Sequence, residues 1–210
     1  MQGNRAFGPV NKWNDVKTSS LGIADTLPMF DERIQFTASV RYQTIDSTNF
    51  DRTTRLVTST YKSEAWTPAV GLMVKPWQNV SVYASYIEGL ETGTTVGDNY
   101  ANAGEVFAPY VSKQYEAGVK VDWGSVTTTL AAFQIARPNT VAVASATGGL
   151  PTLSLDGEQE NRGIELNAYG EVFDGVRLLG GVTFLDARQI KTANGTYNGK
   201  GPPVRRKSGR

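Results

Sequence analysis

Residues 114–137 read QYEAGVKVDWGSVTTTLAAFQIAR, and their pattern decides the fold. Gln114, Glu116, Gly118, Lys120 and Asp122 alternate with Tyr115, Ala117, Val119, Val121 and Trp123. A period of two belongs to a strand with one wet face and one apolar face. Asp122-Trp123-Gly124-Ser125 supplies turn residues, and a second β-rich run begins at once. About ten residues per strand exceeds the ~5–6 of an ordinary sheet. It is roughly what a tilted strand needs to cross a bilayer.

The same unit recurs on both sides. A strand begins at Thr18, with Leu21, Ile23 and Leu27 on one side, and Pro28–Glu32 is a short turn. Arg33–Ser47 alternates cleanly: Ile34, Phe36, Ala38, Val40 and Tyr42 against Gln35, Thr37, Ser39, Arg41 and Gln43. Thr48–Thr60 is polar and reads as a loop. Ala65–Lys75 and Val80–Glu88 are strands around a turn at Pro76–Asn79, because proline cannot continue a central strand. Glu91–Val111 and Pro138–Gln159 read as long loops. Asn161–Val172 and Arg177–Ile190 form the last hairpin around Phe173–Val176. Eight strands result, with connections that alternate strictly between short and long. This is the layout of an outer-membrane barrel, and a soluble β-sandwich rarely keeps it. Trp77, Trp123 and Phe173 sit at short turns, where an interfacial aromatic girdle belongs.

Composition excludes several classes. No run approaches the roughly 18 apolar residues of a transmembrane helix. A barrel hides its apolar residues at alternate positions, so a membrane barrel stays open. The formal net charge of +1 gives no case for nucleic acid. The chain has no Cys and no His. Disulfides, thiolate or histidine metal sites and any His-based triad are excluded within it, and an enzyme is not expected. The start, MQGNRAFGPV, has no apolar stretch of the kind a signal peptide needs. The expectation is an internal piece of a longer exported protein.

Several segments together resemble the C-terminal barrel of TonB-dependent ferric-siderophore receptors. LGIADTLPMF (21–30) with RIQFTASVRY (33–42), Trp66–Lys75 with VSVYASYIEGL (80–90), Val111–Asn139, and GEQENRGIELNAYGEVFDGVRLLGG (157–181) follow that family's order and spacing. The resemblance spans roughly residues 17–200. It implies an all-β, antiparallel up-and-down transmembrane segment of about eight strands, from a plugged barrel of about 22. On this reading residues 1–204 are a partial barrel domain, and the basic tail 205–210 (RRKSGR) marks a truncation or frameshift.

The resemblance further implies siderophore uptake in the outer membrane of a Gram-negative bacterium. Its partners would be a ferric siderophore, outer-membrane lipid, and the TonB complex acting through a plug domain missing from this chain. No cofactor is expected, since the siderophore carries the iron. Tyr100, Phe107 and Tyr110 would lie in the extracellular loop Glu91–Val111 and could stack on a chelate, and Arg137 could meet its negative charge. Gln114, Glu116, Lys120, Glu165 and Asn167 would face the plug. A second reading is a self-contained eight-stranded membrane barrel with a structural or adhesive role. A segment of the larger barrel would instead leave two open edges, which lipid cannot satisfy.

Overall fold

The computed structural model describes residues 14–51, 53–192, 195 and 198–201. They form β1 (Asn14–Met29), β2 (Ile34–Phe50), β3 (Val57–Trp77), β4 (Val80–Glu91), β5 (Tyr110–Asp122), β6 (Val126–Val143), β7 (Thr152–Phe173) and β8 (Val176–Lys191). All belong to one antiparallel sheet in sequence order, with β1 and β8 at its two edges. The expected fold class and strand count are those observed. The basic tail 205–210 lies outside the described residues.

Register shows why the alternation holds. Val82 pairs with Val119, Ala84 with Ala117 and Tyr86 with Tyr115, while Ser85 pairs with Glu116 and Ser81 with Lys120. The next strands continue both series: Leu130 meets Leu166 and Ala132 meets Ile164, with Ala131 opposite Glu165 between them. One face is therefore apolar across the whole sheet and the other polar.

The apolar face is the exposed one. Ile164, Leu166, Val119 and Tyr115 are all exposed, whereas Glu116 and Glu165 on the opposite face are only partly so. No side chain among the described residues is completely buried. In water this arrangement would forgo the burial of apolar area that stabilises a soluble domain. In a bilayer it presents hydrocarbon to hydrocarbon.

Two aromatic borders bound the apolar band. At the short turns Phe30, Trp77, Trp123 and Phe173 stand about two-thirds to three-quarters exposed. Toward the other end, Tyr42 packs on Trp66 at 5.0 Å and Tyr86 on Tyr115 at 4.9 Å, the second border, which the sequence pattern did not single out. Tyr115 and Trp123 are eight residues apart on one strand and turn. At about 3.4 Å per residue that is roughly 27 Å of strand. A tilt of 35–45° brings it near the hydrocarbon thickness that outer-membrane barrels cover.

The short turns are tight. At Asp122–Ser125, Gly124 takes φ +94° and its N–H donates to Asp122 Oδ1 at 2.8 Å. The Phe30-Asp31-Glu32 turn places three successive non-glycine residues at φ 54°, 54° and 62°. That left-handed conformation is unfavourable for side-chain-bearing residues.

The long connections differ from expectation. The loop expected over Thr48–Thr60 is confined to residues 51–56, because β2 and β3 keep pairing from Thr44–Glu64 up to Phe50–Val57. The loop expected over Pro138–Gln159 shrinks to residues 144–151. β1 likewise starts at Asn14 rather than Thr18. Beyond the bilayer both faces of a strand are wet, so the period of two disappears while the hydrogen-bond ladder continues. Pro138 lies inside β6, opposite Glu158. β6 has no β5 partner beyond Ala136, and such an open edge is where a strand tolerates proline. The polar segment after Lys191 does not simply run away from the sheet. Instead Gln189 donates to the carbonyl of Lys200 at 2.9 Å, and Gly199 donates back to Gln189 at 2.8 Å.

Candidate functional site

The polar face carries the candidate site, at the long-loop end. Glu91 closes β4 directly opposite Tyr110, the first residue of β5. Arg137, on β6, holds its Nη1 3.8 Å from Glu91 Oε2. Tyr110 and Arg137, chosen from sequence for stacking and for charge, are thus joined through a carboxylate. Burial, then the neighbouring Glu91 charge, raises the Tyr110 phenol above its usual value, while Arg137 pulls the other way. Tyr110 is therefore a neutral hydroxyl at physiological pH. Arg137, the last residue of the stretch read as a hairpin, lies within β6 and pairs with Gln159. Its Nε is buried and has no hydrogen-bond partner among the described residues.

Tyr100 and Phe107 belong to a separate lobe, residues 92–109. Phe107, Val96 and Leu153 form its small core, and Tyr100 and Leu155 pack against it. Thr95 bridges to Val106. The loop is tied to the start of β7 by Asn102, whose side-chain amide imitates a backbone pair. Its Nδ2 donates to the Leu153 carbonyl, and the Leu153 N–H donates to its Oδ1, both at 2.9 Å. Ala101 adds a bond to the Pro151 carbonyl at 2.9 Å. Phe107 is only 9% exposed, so its ring is committed to this packing rather than free to stack on a ligand.

The lobe roofs a cavity of about 490 Å³ against the long-loop ends of β1, β2 and β3. Ser47 and Tyr61 come from the sheet, Thr95 and Val106 from the lobe, with Ile45 and Phe107 closing the apolar side. None of its lining residues is charged. Nearby, Thr67 Oγ1 donates to Gln43 Oε1 at 2.9 Å, and Asn14 Nδ2 donates to Asn49 Oδ1 at 2.8 Å. These keep the wall a fixed set of neutral donors and acceptors.

Deeper on the same face lies a second polar group. Tyr83 lays its ring over Gly118 and donates to Glu116 Oε1 at 2.7 Å, and Gln114 donates to the other oxygen at 3.1 Å. A Cβ at Gly118 would meet that ring at 2.7 Å, so a larger residue there would push the Tyr83 ring off its place over the strand. Asn167 bonds Glu165, and Lys120 lies over the Tyr169 ring at 5.9 Å. No group of three or more carboxylates converges to hold a metal ion among the described residues.

Comparison with known proteins places this geometry. The chain matches the family described as TonB dependent receptor-like, beta-barrel, over residues 2–209. It belongs to that family. The ferrichrome receptor FcuA of Yersinia enterocolitica is 40% identical over 191 residues, 89% of this chain and 25% of the relative. The metal-pseudopaline receptor CntO of Pseudomonas aeruginosa is 26% identical, over 86% of this chain and 25% of that protein. Among solved structures, BauA, the ferric preacinetobactin receptor of Acinetobacter baumannii, superposes with a TM-score of 0.71 at 39% identity, over 90% of this chain and 28% of its own. The chain spans about a quarter of the length of the relatives it matches. These relatives are receptors rather than enzymes, and the family is one of the Gram-negative outer membrane.

Two residues that matter were missed from sequence. Glu91 looked like the edge of a loop, although Ile87, Gly89 and Glu91 continue the polar-face series of β4. Asn102 carried no local signal, because its partner is 51 residues away.

Proposed function

We propose that this chain is part of the barrel wall of a receptor that imports a ferric siderophore through the outer membrane, driven by TonB. One observation carries the reading. The sheet is inside-out, with an exposed apolar face and a polar face that ends in a cavity at the long-loop end. A chelate would bind at the exterior end, near Tyr110, Arg137 and the roof of the cavity, with Tyr100 bracing the lobe. Glu116, Glu165, Lys120 and their neighbours would line the passage and contact the plug domain. Iron enters as cargo within the chelate, and no resident cofactor is invoked.

The self-contained small barrel is not favoured. It would need β8 to pair with β1, and the observed strand order leaves these at opposite edges. The test is iron-limited growth of a host lacking its own ferric-siderophore receptors, complemented with the complete receptor that carries this segment. TonB-dependent uptake of radiolabelled ferric chelate is the expected result. Uptake of no ferric chelate would overturn the proposal.

A further inference from the structure

The apolar face of the sheet keeps its charges at one end. Asp46, Glu64, Glu88, Lys113, Arg162 and Asp186 mark a rim on that face at the long-loop end. Below this rim, among the described residues, β2–β8 carry no lysine, arginine, aspartate or glutamate on the apolar face down to their short turns. β1 breaks the rule. Leu21, Ile23, Asp25, Leu27 and Met29 share its apolar face, opposite Tyr42, Val40, Ala38, Phe36 and Ile34. Asp25 stands at the centre of that run, four residues from Met29, or roughly 14 Å of strand from the short turn.

Nothing on β2 answers this carboxylate. Ala38 is directly opposite, Phe36 and Val40 lie on the diagonals, and Val70 follows behind on β3. The hydrogen bond that Asp25 does make among the described residues comes from its own strand, the N–H of Thr26 at 2.8 Å. A carboxylate among apolar side chains in a bilayer is unfavourable unless it is paired. The remaining side is the free edge of β1. Lipid cannot satisfy the backbone groups of that edge, so a closed barrel pairs it with a further strand. Side chains directly opposite on such a strand come within about 5 Å of those on β1.

Resting on the membrane-receptor reading above, we infer that Asp25 is a cross-strand anchor: in the complete receptor it pairs with a lysine or arginine on the strand that joins the free edge of β1. The pair fixes register. Alternation alone does not, because a slip of two residues leaves every apolar side chain on the apolar face. Against β2, the tight turn at residues 30–33 removes that ambiguity. At the free edge the described residues supply no such turn, and one ion pair set among apolar side chains is satisfied in one register only.

The test follows denaturant unfolding of the complete receptor from lipid vesicles. Asp25→Leu leaves the partner cation stranded and should lower the folded-to-unfolded ratio by about a hundredfold or more. Asp25→Asn keeps the shape and loses the charge, and should lower it by about tenfold or more. Where Asp25→Leu fails to assemble, Asp25→Asn carries the test, and Asp25→Glu should recover most of the ratio. An Asp25→Leu receptor as stable as the unaltered one, or more stable, shows an unpaired carboxylate and overturns the inference. Asp25→Asn without effect overturns the cationic partner. Loss of a second protein chain from the receptor, with unfolding of the barrel unchanged, overturns the placing of the partner within the barrel. Ferric-chelate uptake by the unaltered receptor is measured alongside. Its absence overturns the receptor reading, whatever the Asp25 variants do.

Discussion

The β5–β6 hairpin and the exterior lobe are held together by opposite means. The hairpin has a complete ladder and almost no core: Val119, Leu130 and Tyr115 all point outward and are exposed. Its stability depends on the solvent around it being hydrocarbon. The lobe has no regular ladder, yet it buries Val96, Phe107 and Leu153 and closes on them with Asn102. It is held by contacts with the start of β7 rather than by the surrounding solvent. A small packed lobe, tied to the start of β7, is thus built from what reads, residue by residue, as loop.

The largest test of the contrast is the chain by itself. In aqueous buffer the isolated 210-residue chain is expected to aggregate, with the edges of β1 and β8 unpaired and the apolar band wet. A monodisperse, heat-resistant monomer without detergent would break the comparison. Next, Leu166→Arg places a cation on the lipid face of the complete receptor. It should destabilise folding into vesicles by up to about 4 kcal/mol, while Thr129→Arg on the lumen face should change it by less than about 1 kcal/mol. Denaturant titration of membrane-inserted protein measures both.

Phe107→Ala should cost the lobe about 3 kcal/mol, the low end for truncating a buried phenylalanine. Hydrogen exchange would then rise across residues 92–109 and near Leu153 without altering β5 and β6. Asn102→Ala removes hydrogen bonds to both backbone groups of Leu153 and should cost about 1–2 kcal/mol, read by the same exchange experiment. The smallest effect concerns pH. Asp51 accepts from the N–H groups of Thr54 and Thr53 at 2.6 and 2.8 Å, which lowers its pKa below the ordinary 3.8. A lowered carboxyl pKa stabilises the folded turn above the unfolded value. That contribution fades as pH falls from 3.8 through the lower folded value. Exchange protection of residues 53–56, corrected for intrinsic rates, should be flat near neutrality and decline in that acid window, and Asp51→Asn should abolish the decline.

What could be read from sequence follows the same division. Within the bilayer, lipid on one side and a wet lumen on the other impose a period of two, so Ile34–Tyr42 and Gln114–Trp123 were legible at once. Above it, Thr48–Phe50 and Thr152–Glu160 remain strands with both faces wet, and no alternation betrays them. Tyr110 and Arg137 were legible as chemistry but not as neighbours, because Glu91 joins them across three strands. The lobe was illegible because its decisive bonds link Asn102 to Leu153 across sequence.

The charged rim on the lipid side sets how deep the barrel floats. Moving it inward by one residue pair, about 7 Å along a strand, would carry Glu64, Glu88, Lys113 and Arg162 into the acyl region. Moving it outward would lift Trp77 and Trp123 from the opposite interface into hydrocarbon. The waterline is thus fixed from both sides. The mouth and its roof stand at a set height above the bilayer surface, within reach of solutes diffusing past and clear of the lipid headgroups.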